Sequence, residues 1–187
     1  MPVRIAGLRF SLFSGSFSVQ GVRVGGGKHP LLRVRRLEAR PAMAQGKQRR
    51  LIRLDVRGFS LSLAESRLSA PLAKVKGVSG IAVDALSARG GRVVVRTKGG
   101  GSGATFSGVS VVGRRLRVGL GRRGLSLGGD LSLRVRRLQL GKVAVSDLRL
   151  SLKGSRRGLK IVALTAKLGD GELSGRGSWR LSRGRLG

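Results

Sequence analysis

Apolar residues recur along this chain at every second position, with an occasional step of three. Between residues 131 and 181 they fall at 131, 133, 135, 138, 140, 143, 145, 148, 150 and 152, then at Leu159, Ile161, Leu164, Ala166 and Leu168. A step of two places side chains on one face of an extended strand. A step of three is either a β-bulge, which inserts one residue and returns the apolar side chains to the same face, or a tight turn. Gly154 to Gly158 is expected as a loop. Asp170-Gly171 is a hairpin signal, after which Leu173, Gly175, Gly177, Trp179 and Leu181 run back.

The pattern is already present at the start. Val3, Ile5, Leu8, Phe10 and Leu12 form a first strand and, across the turn Ser14-Gly15-Ser16, Phe17, Val19, Val22 and Val24 form a second. Gly7 and Gly21 stand in the steps of three, where a bulge or sharp bend favours glycine. After a Gly-rich loop, Leu32, Val34, Leu37 and Ala39 predict a third strand ended by Pro41, and residues 42–50 a loop. Ile52, Leu54 and Val56 lead, across Arg57-Gly58, to Phe59, Leu61 and Leu63. Residues 65–80 hold Pro71 and lose the alternation, which marks a linker or edge segment. Strands resume with Ile81, Val83, Leu86 and Ala88, then Val93 and Val95, a glycine loop at 99–103, Phe106, Val109 and Val111, then Leu116, Val118 and Leu120, then Leu125 and Leu127. Gly128-Gly129-Asp130 leads into the next run. Helical periodicity is nowhere sustained.

The expected fold is therefore all-β: a curved antiparallel β-meander forming an open trough or half-barrel with an apolar inner face. It divides into residues 1–64, the linker or edge segment 65–80, and residues 81–187. The positions between apolar residues are mostly Arg, Lys and Ser, as in LRVRRL and DLRLSLK. One wet face is ordinary for an antiparallel sheet. Here no helix is available to cover the other face, so the sheet must fold on itself, pack on another sheet, or cover something else.

Composition narrows the chemistry. The 187 residues carry 39 Lys and Arg against 8 Asp and Glu, a net charge of +31. That favours anionic partners, although an arginine bias also follows from base composition. Cysteine is absent, which excludes disulfides and thiol chemistry. The one histidine, His29, has no Cys, His or carboxylate cluster beside it, and the acids stand singly among basic residues. No metal site, cofactor site, catalytic triad or carboxylate pair is expected, and the chain is not expected to be an enzyme. GGGSGAT at 99–105 lacks the Lys-Ser/Thr ending of a phosphate loop. Nucleic-acid binding is disfavoured by the aromatic content of 3%, since single-strand binders interleave stacking rings with charge. No apolar run reaches the roughly 18 residues that a spanning helix needs, and Arg4 and Arg9 interrupt any leader-like apolar core at the start. An export signal, where one is used, is expected outside these residues.

VRIAGLRFSLFSGSFSVQGVRV, PLLRVRRLEA and RRLIRLDVRGFSLSLA resemble the N-terminal part of AsmA-like proteins. VAVSDLRLSLKGSRRGLKIVALTAKLGDGELSGRGSWRL resembles their C-terminal pattern, with Asp147-Leu148, Leu164, Ala166, Gly169, Gly171, Leu173, Gly175 and Gly177 at matching positions. AsmA-like and TamB-like proteins usually carry an N-terminal transmembrane helix and are longer, so this chain would be a shortened member or a fragment. The resemblance implies a periplasmic or inner-membrane-associated protein of a two-membrane bacterium that carries phospholipid acyl chains in an apolar β-trough, with envelope proteins as further partners. On that reading the groove candidates are Leu133, Val135, Leu138, Val145, Leu148, Leu150, Leu152, Ile161, Leu164, Leu168 and Leu173. Arg134, Arg136, Arg149, Arg156 and Arg157 are candidates for anionic head groups or an acidic membrane surface. Two other readings stand beside it: an assembly protein whose apolar face packs on itself or a partner, and a basic polyanion-binding β-domain.

Overall fold

The computed structural model describes residues 2–11, 13–25, 30–42, 51–64, 81–97, 102–121, 124–155 and 158–180. They form β1 (Val3–Arg4), β2 (Gly7–Ser11), β3 (Ser16–Val24), β4 (Leu32–Ala42), β5 (Leu51–Ala64), β6 (Ile81–Arg96), β7 (Ser102–Gly121), β8 (Gly124–Leu140), β9 (Val143–Ser155), β10 (Gly158–Leu168) and β11 (Gly171–Arg180). All belong to one open sheet in the order β1-β3-β4-β5-β6-β7-β8-β9-β10-β11, with β2 continuing the line of β1 beside β3. Every pair of strands in more than marginal contact is a pair of sheet neighbours. Among the described residues, no second layer covers either face. No helix among them is long and apolar enough to cross a membrane.

The fold is the expected open, all-β trough, with one departure in its connectivity. β5 and β6 pair in parallel, from Arg53 beside Ala85 to Ala64 beside Arg96, and every other pair is antiparallel. Alternation reports which face a side chain takes and carries no direction, so the sequence did not distinguish this pair from a hairpin. The segment 65–80 expected as a linker or edge lies outside the described residues. The segments on either side of it share one sheet through the β5–β6 ladder.

The strands are also longer than the sequence predicts. Ile81–Ala88 and Val93–Val95 are parts of one strand, β6, and Phe106–Val111 and Leu116–Leu120 are parts of β7. Gly128-Gly129-Asp130 lies inside β8 and does not precede it, and β4 runs through Pro41, beside Ile52, to Ala42. The β10–β11 turn is Gly169-Asp170, with Gly171 already in β11. Gly7 opens β2; the break it was expected to cause lies just before it, at Ile5-Ala6. The loops expected at 42–50 and 99–103 fall largely outside the described residues.

The steps of three sort into turns and bulges. Leu140 to Val143 is the turn Gly141-Lys142. Val135 to Leu138 on β8 faces Leu148 to Val145 on β9, so both strands carry the extra residue and the register is kept. The same matched interruption recurs at Gln20-Gly21 on β3, Arg35-Arg36 on β4 and Arg57-Gly58 on β5. It continues at Arg89-Gly90 on β6, Ser107-Gly108 on β7, Arg136-Arg137 on β8 and Ser146-Asp147 on β9. Between β6 and β7 it jogs by one inward position through two compensating register shifts, and it ends at β10, where β9 alone carries the extra residue. The result is a crease across the sheet.

Its chemistry is regular. Gly21, Gly58, Gly90, Gly108 and Asp147 all have φ between 49° and 67°. A bulge residue in this left-handed region is normally glycine, and Asp tolerates the region better than most side chains. On two of the strands between them, arginine faces glycine. A Cβ on Gly58 would stand 3.1 Å from Arg35 Cβ, and one on Gly108 would stand 2.7 Å from Arg136 Cβ. The bare glycines leave room for the arginine stems to lie across them.

Candidate functional site

Cross-strand register aligns the inner face into continuous apolar rows. One runs Leu8, Val19, Leu37, Val56, Ala88, Val111, Leu133, Leu150, Leu164 from one edge towards the other. A second follows the crease through Val22, Val34 and Phe59 to Gly91, Val109, Val135 and Leu148. Phe59 fills the position above Gly91, where an added Cβ would stand 2.0 Å from its ring. That contact crosses the parallel pair and takes the place of the missing side chain on β6.

The deepest residue lies on the crease, and five of the buried apolar residues adjoin it: Val19, Val34, Ala88, Val109 and Val135, the last of which is 1% exposed. A side chain on a flat single-layer sheet keeps its upper surface open. Full burial without a second layer requires neighbouring side chains to converge, so the bend is concave towards the apolar face and the crease is the floor. The walls are larger and mostly half-covered, as at Leu37, Leu61, Leu133, Leu150 and Leu164, with Ala39, Val83 and Leu116 buried among them. Ten strand positions at about 4.8 Å each give a groove of roughly 40 Å across the strands. One bilayer leaflet holds about 15 Å of acyl chain.

Each groove candidate in the described residues takes the inner face. Leu133, Leu150 and Leu164 are direct partners in one row, as are Leu138, Val145 and Leu168 in another; Leu152 faces Ile161, and Val135 faces Leu148. Leu173 pairs with Ala166 near the edge. Leu168 and Leu173 are exposed and mark the groove's thin end, where the next inward positions on β11 are Gly175 and Gly177. The N-terminal strands, absent from the candidate set, contribute an equal share through residues such as Leu37, Val56 and Phe59. A signal for this was present: the hexapeptide Leu-Arg-Val-Arg-Arg-Leu occurs at both 32–37 and 133–138, and each copy carries the crease.

The outer face is cationic. Arg36, Arg57 and Arg89 stand side by side on β4, β5 and β6, and Arg134 faces Arg149. Like charges directly opposite destabilise a sheet, and the few acids are placed against them. Glu38 accepts from Arg40 Nε at 2.8 Å and lies 3.6 Å from Arg36. The hydrogen bond from Arg40, aided by the charges of Arg36 and Arg57, holds its carboxyl below the ordinary value. Arg57–Asp55, Arg115–Asp130 and Arg134–Asp147 pair at 3.4–3.5 Å. Exposed pairs of this kind contribute about 1 kcal/mol or less each. The strand phenylalanines Phe10, Phe17, Phe59 and Phe106 all fall in the inner rows, so none of them offers the basic face a ring for stacking a base.

Arg134, Arg136 and Arg149 therefore lie on the face opposite the groove. Arg134 is held by Asp147, the Arg136 stem crosses Gly108, and Arg149 borders a shallow outer hollow with Asp147, Thr165, Lys167 and Glu172. Arg156 and Arg157 lie outside the described residues. No group of His, Cys, Asp or Glu fit to hold a metal occurs among the described residues. Compared with protein-family models, with curated proteins and with solved structures, the chain matches none.

Proposed function

We propose that this is a non-enzymatic envelope protein that binds or conducts phospholipid acyl chains along the apolar groove, in the manner its AsmA-like sequence features imply, between the inner and outer membranes of a two-membrane bacterium. One observation carries the reading. The inner rows are continuous from β2 to β10, yet no described element covers them. Aliphatic walls solvate an acyl chain without special chemistry, and each CH₂ withdrawn from water contributes about 0.8 kcal/mol. The crease supplies a floor of small and β-branched residues along which such a chain fits, and the net charge of +31 draws the protein to anionic lipid through its long-range field, the described arginines lying on the opposite face.

Native mass spectrometry of the gently extracted protein tests this. Phospholipid is expected to co-purify, and Leu150→Asp or Leu164→Asp, each half-buried in the wall, is expected to abolish the association while the strand circular dichroism is retained. Wild-type protein free of lipid after mild extraction would sink the proposal.

A further inference from the structure

At the N-terminal corner the apolar surface escapes its cover. Leu8 is 69% and Phe10 64% exposed on β2, and Phe13, in the turn to β3, is fully exposed. Phe10 pairs with Phe17 and Leu8 with Val19, so these side chains extend the groove's own rows to the sheet edge, and Phe13 carries the surface beyond it. Three of the chain's five phenylalanines fall between positions 10 and 17. The opposite edge is different: its inward positions on β11 after Leu173 include Gly175 and Gly177. An exposed aromatic and aliphatic patch of this kind marks an interaction surface. Arg4 and Arg9 flank it, both exposed, and no acidic residue precedes Glu38 in the chain.

We infer that the β2–β3 hairpin inserts Phe13, with Leu8, Phe10 and Phe17 behind it, into the interfacial layer of an anionic bilayer, docking that end of the groove on the membrane. Phe and Leu on one side with Arg beside them is the composition of surfaces that lie in the headgroup region. Charge decides between a bilayer and a second copy of the chain: a second copy would set +31 against +31, whereas anionic lipid supplies the opposite sign. The inference rests on the lipid-groove reading and adds the place where lipid enters it. An acyl chain leaving the bilayer at the hairpin passes onto the Leu8 and Phe10 rows without crossing open water.

The test uses the full chain with Trp179→Phe, so that Phe13→Trp supplies the only indole, and vesicles of phosphatidylglycerol or of phosphatidylcholine. The Phe13→Trp emission is expected to shift to the blue on phosphatidylglycerol vesicles and much less on phosphatidylcholine. Phe10→Ser with Phe13→Ser is expected to weaken phosphatidylglycerol vesicle binding at least about tenfold, given the apolar area withdrawn from water. Leu150→Asp, which empties the groove, is expected to leave vesicle binding unchanged, so the two readings fail separately. An emission spectrum unmoved by phosphatidylglycerol overturns the inference. So does a concentration-dependent self-association that Phe13→Ser removes, because the hairpin would then be a contact between copies.

Discussion

Val135→Asp is expected to destabilise the sheet severely, and Val112→Asp to leave its stability almost unchanged. The two valines lie on neighbouring strands, β8 and β7, and on opposite faces. Val135 sits on the groove floor with 1% of its surface exposed, beside Leu148 and the crease. A carboxylate there loses its hydration and finds no described cation on the same face, and the valine's packing is lost as well. Burying an unpaired charge of this kind costs roughly 3–5 kcal/mol, against a total stability of about 5–15 kcal/mol for a domain. Val112 points outward between Ser87 and Ser132, is exposed, and stands in a basic field. A charge there is expected to change stability by about 0.5 kcal/mol or less. Urea denaturation followed by circular dichroism measures both. Similar midpoints for the two variants would show that the sheet has no privileged inner face, and the groove would go with it.

Gly108→Ala is expected to cost roughly 3 kcal/mol, and Gly141→Ala only about 1–2 kcal/mol. Both glycines have nearly the same backbone, φ 64° and 57°, so the left-handed penalty is shared. They differ in surroundings. A Cβ at Gly141, in the β8–β9 turn, meets nothing within 4 Å, whereas one at Gly108 stands 2.7 Å from Arg136 Cβ. The difference between the variants measures the close approach at the crease. Arg136→Gly added to Gly108→Ala is expected to recover most of that difference, since the contacting residues couple. Equal midpoints for Gly108→Ala and Gly141→Ala in thermal or urea melts would mean that the crease relaxes at no cost.

The face of each strand was legible in the sequence because period two is a local property. Leu133, Leu150 and Leu164 could be assigned to one face without knowing that they touch, and they proved to be direct partners. Bulge and turn were not separable at this level. Leu140–Val143 and Val145–Leu148 show the same step of three, and only the matching step on β8 makes the second a bulge. Strand length failed for the same reason. A glycine pair such as Gly128-Gly129 looks like a break until a neighbouring strand is seen to bond across it, as β7 does with Arg117 beside Gly128. The Phe59–Gly91 contact was out of reach, because it depends on the direction of the β5–β6 pair, which no pattern of hydrophobicity encodes. The groove was visible as a greasy face, but the floor needed the crease, and the crease is a property of neighbouring strands taken together.

That crease separates two dimensions that most apolar cavities tie together. In a closed barrel, adding strands widens the lumen. Here each strand contributes one slice: two short apolar arms joined at a bent pair of residues. The calibre is set within the strand, by where the Gly or Asp falls, as in Val56-Arg57-Gly58-Phe59 or Val145-Ser146-Asp147-Leu148. The length is set by how many slices are laid side by side. A hairpin inserted anywhere between β3 and β9 with the same step would lengthen the conduit by about 10 Å and leave its cross-section alone. Such a chain can be tailored to a distance by duplicating hairpins while the width needed for its cargo stays fixed.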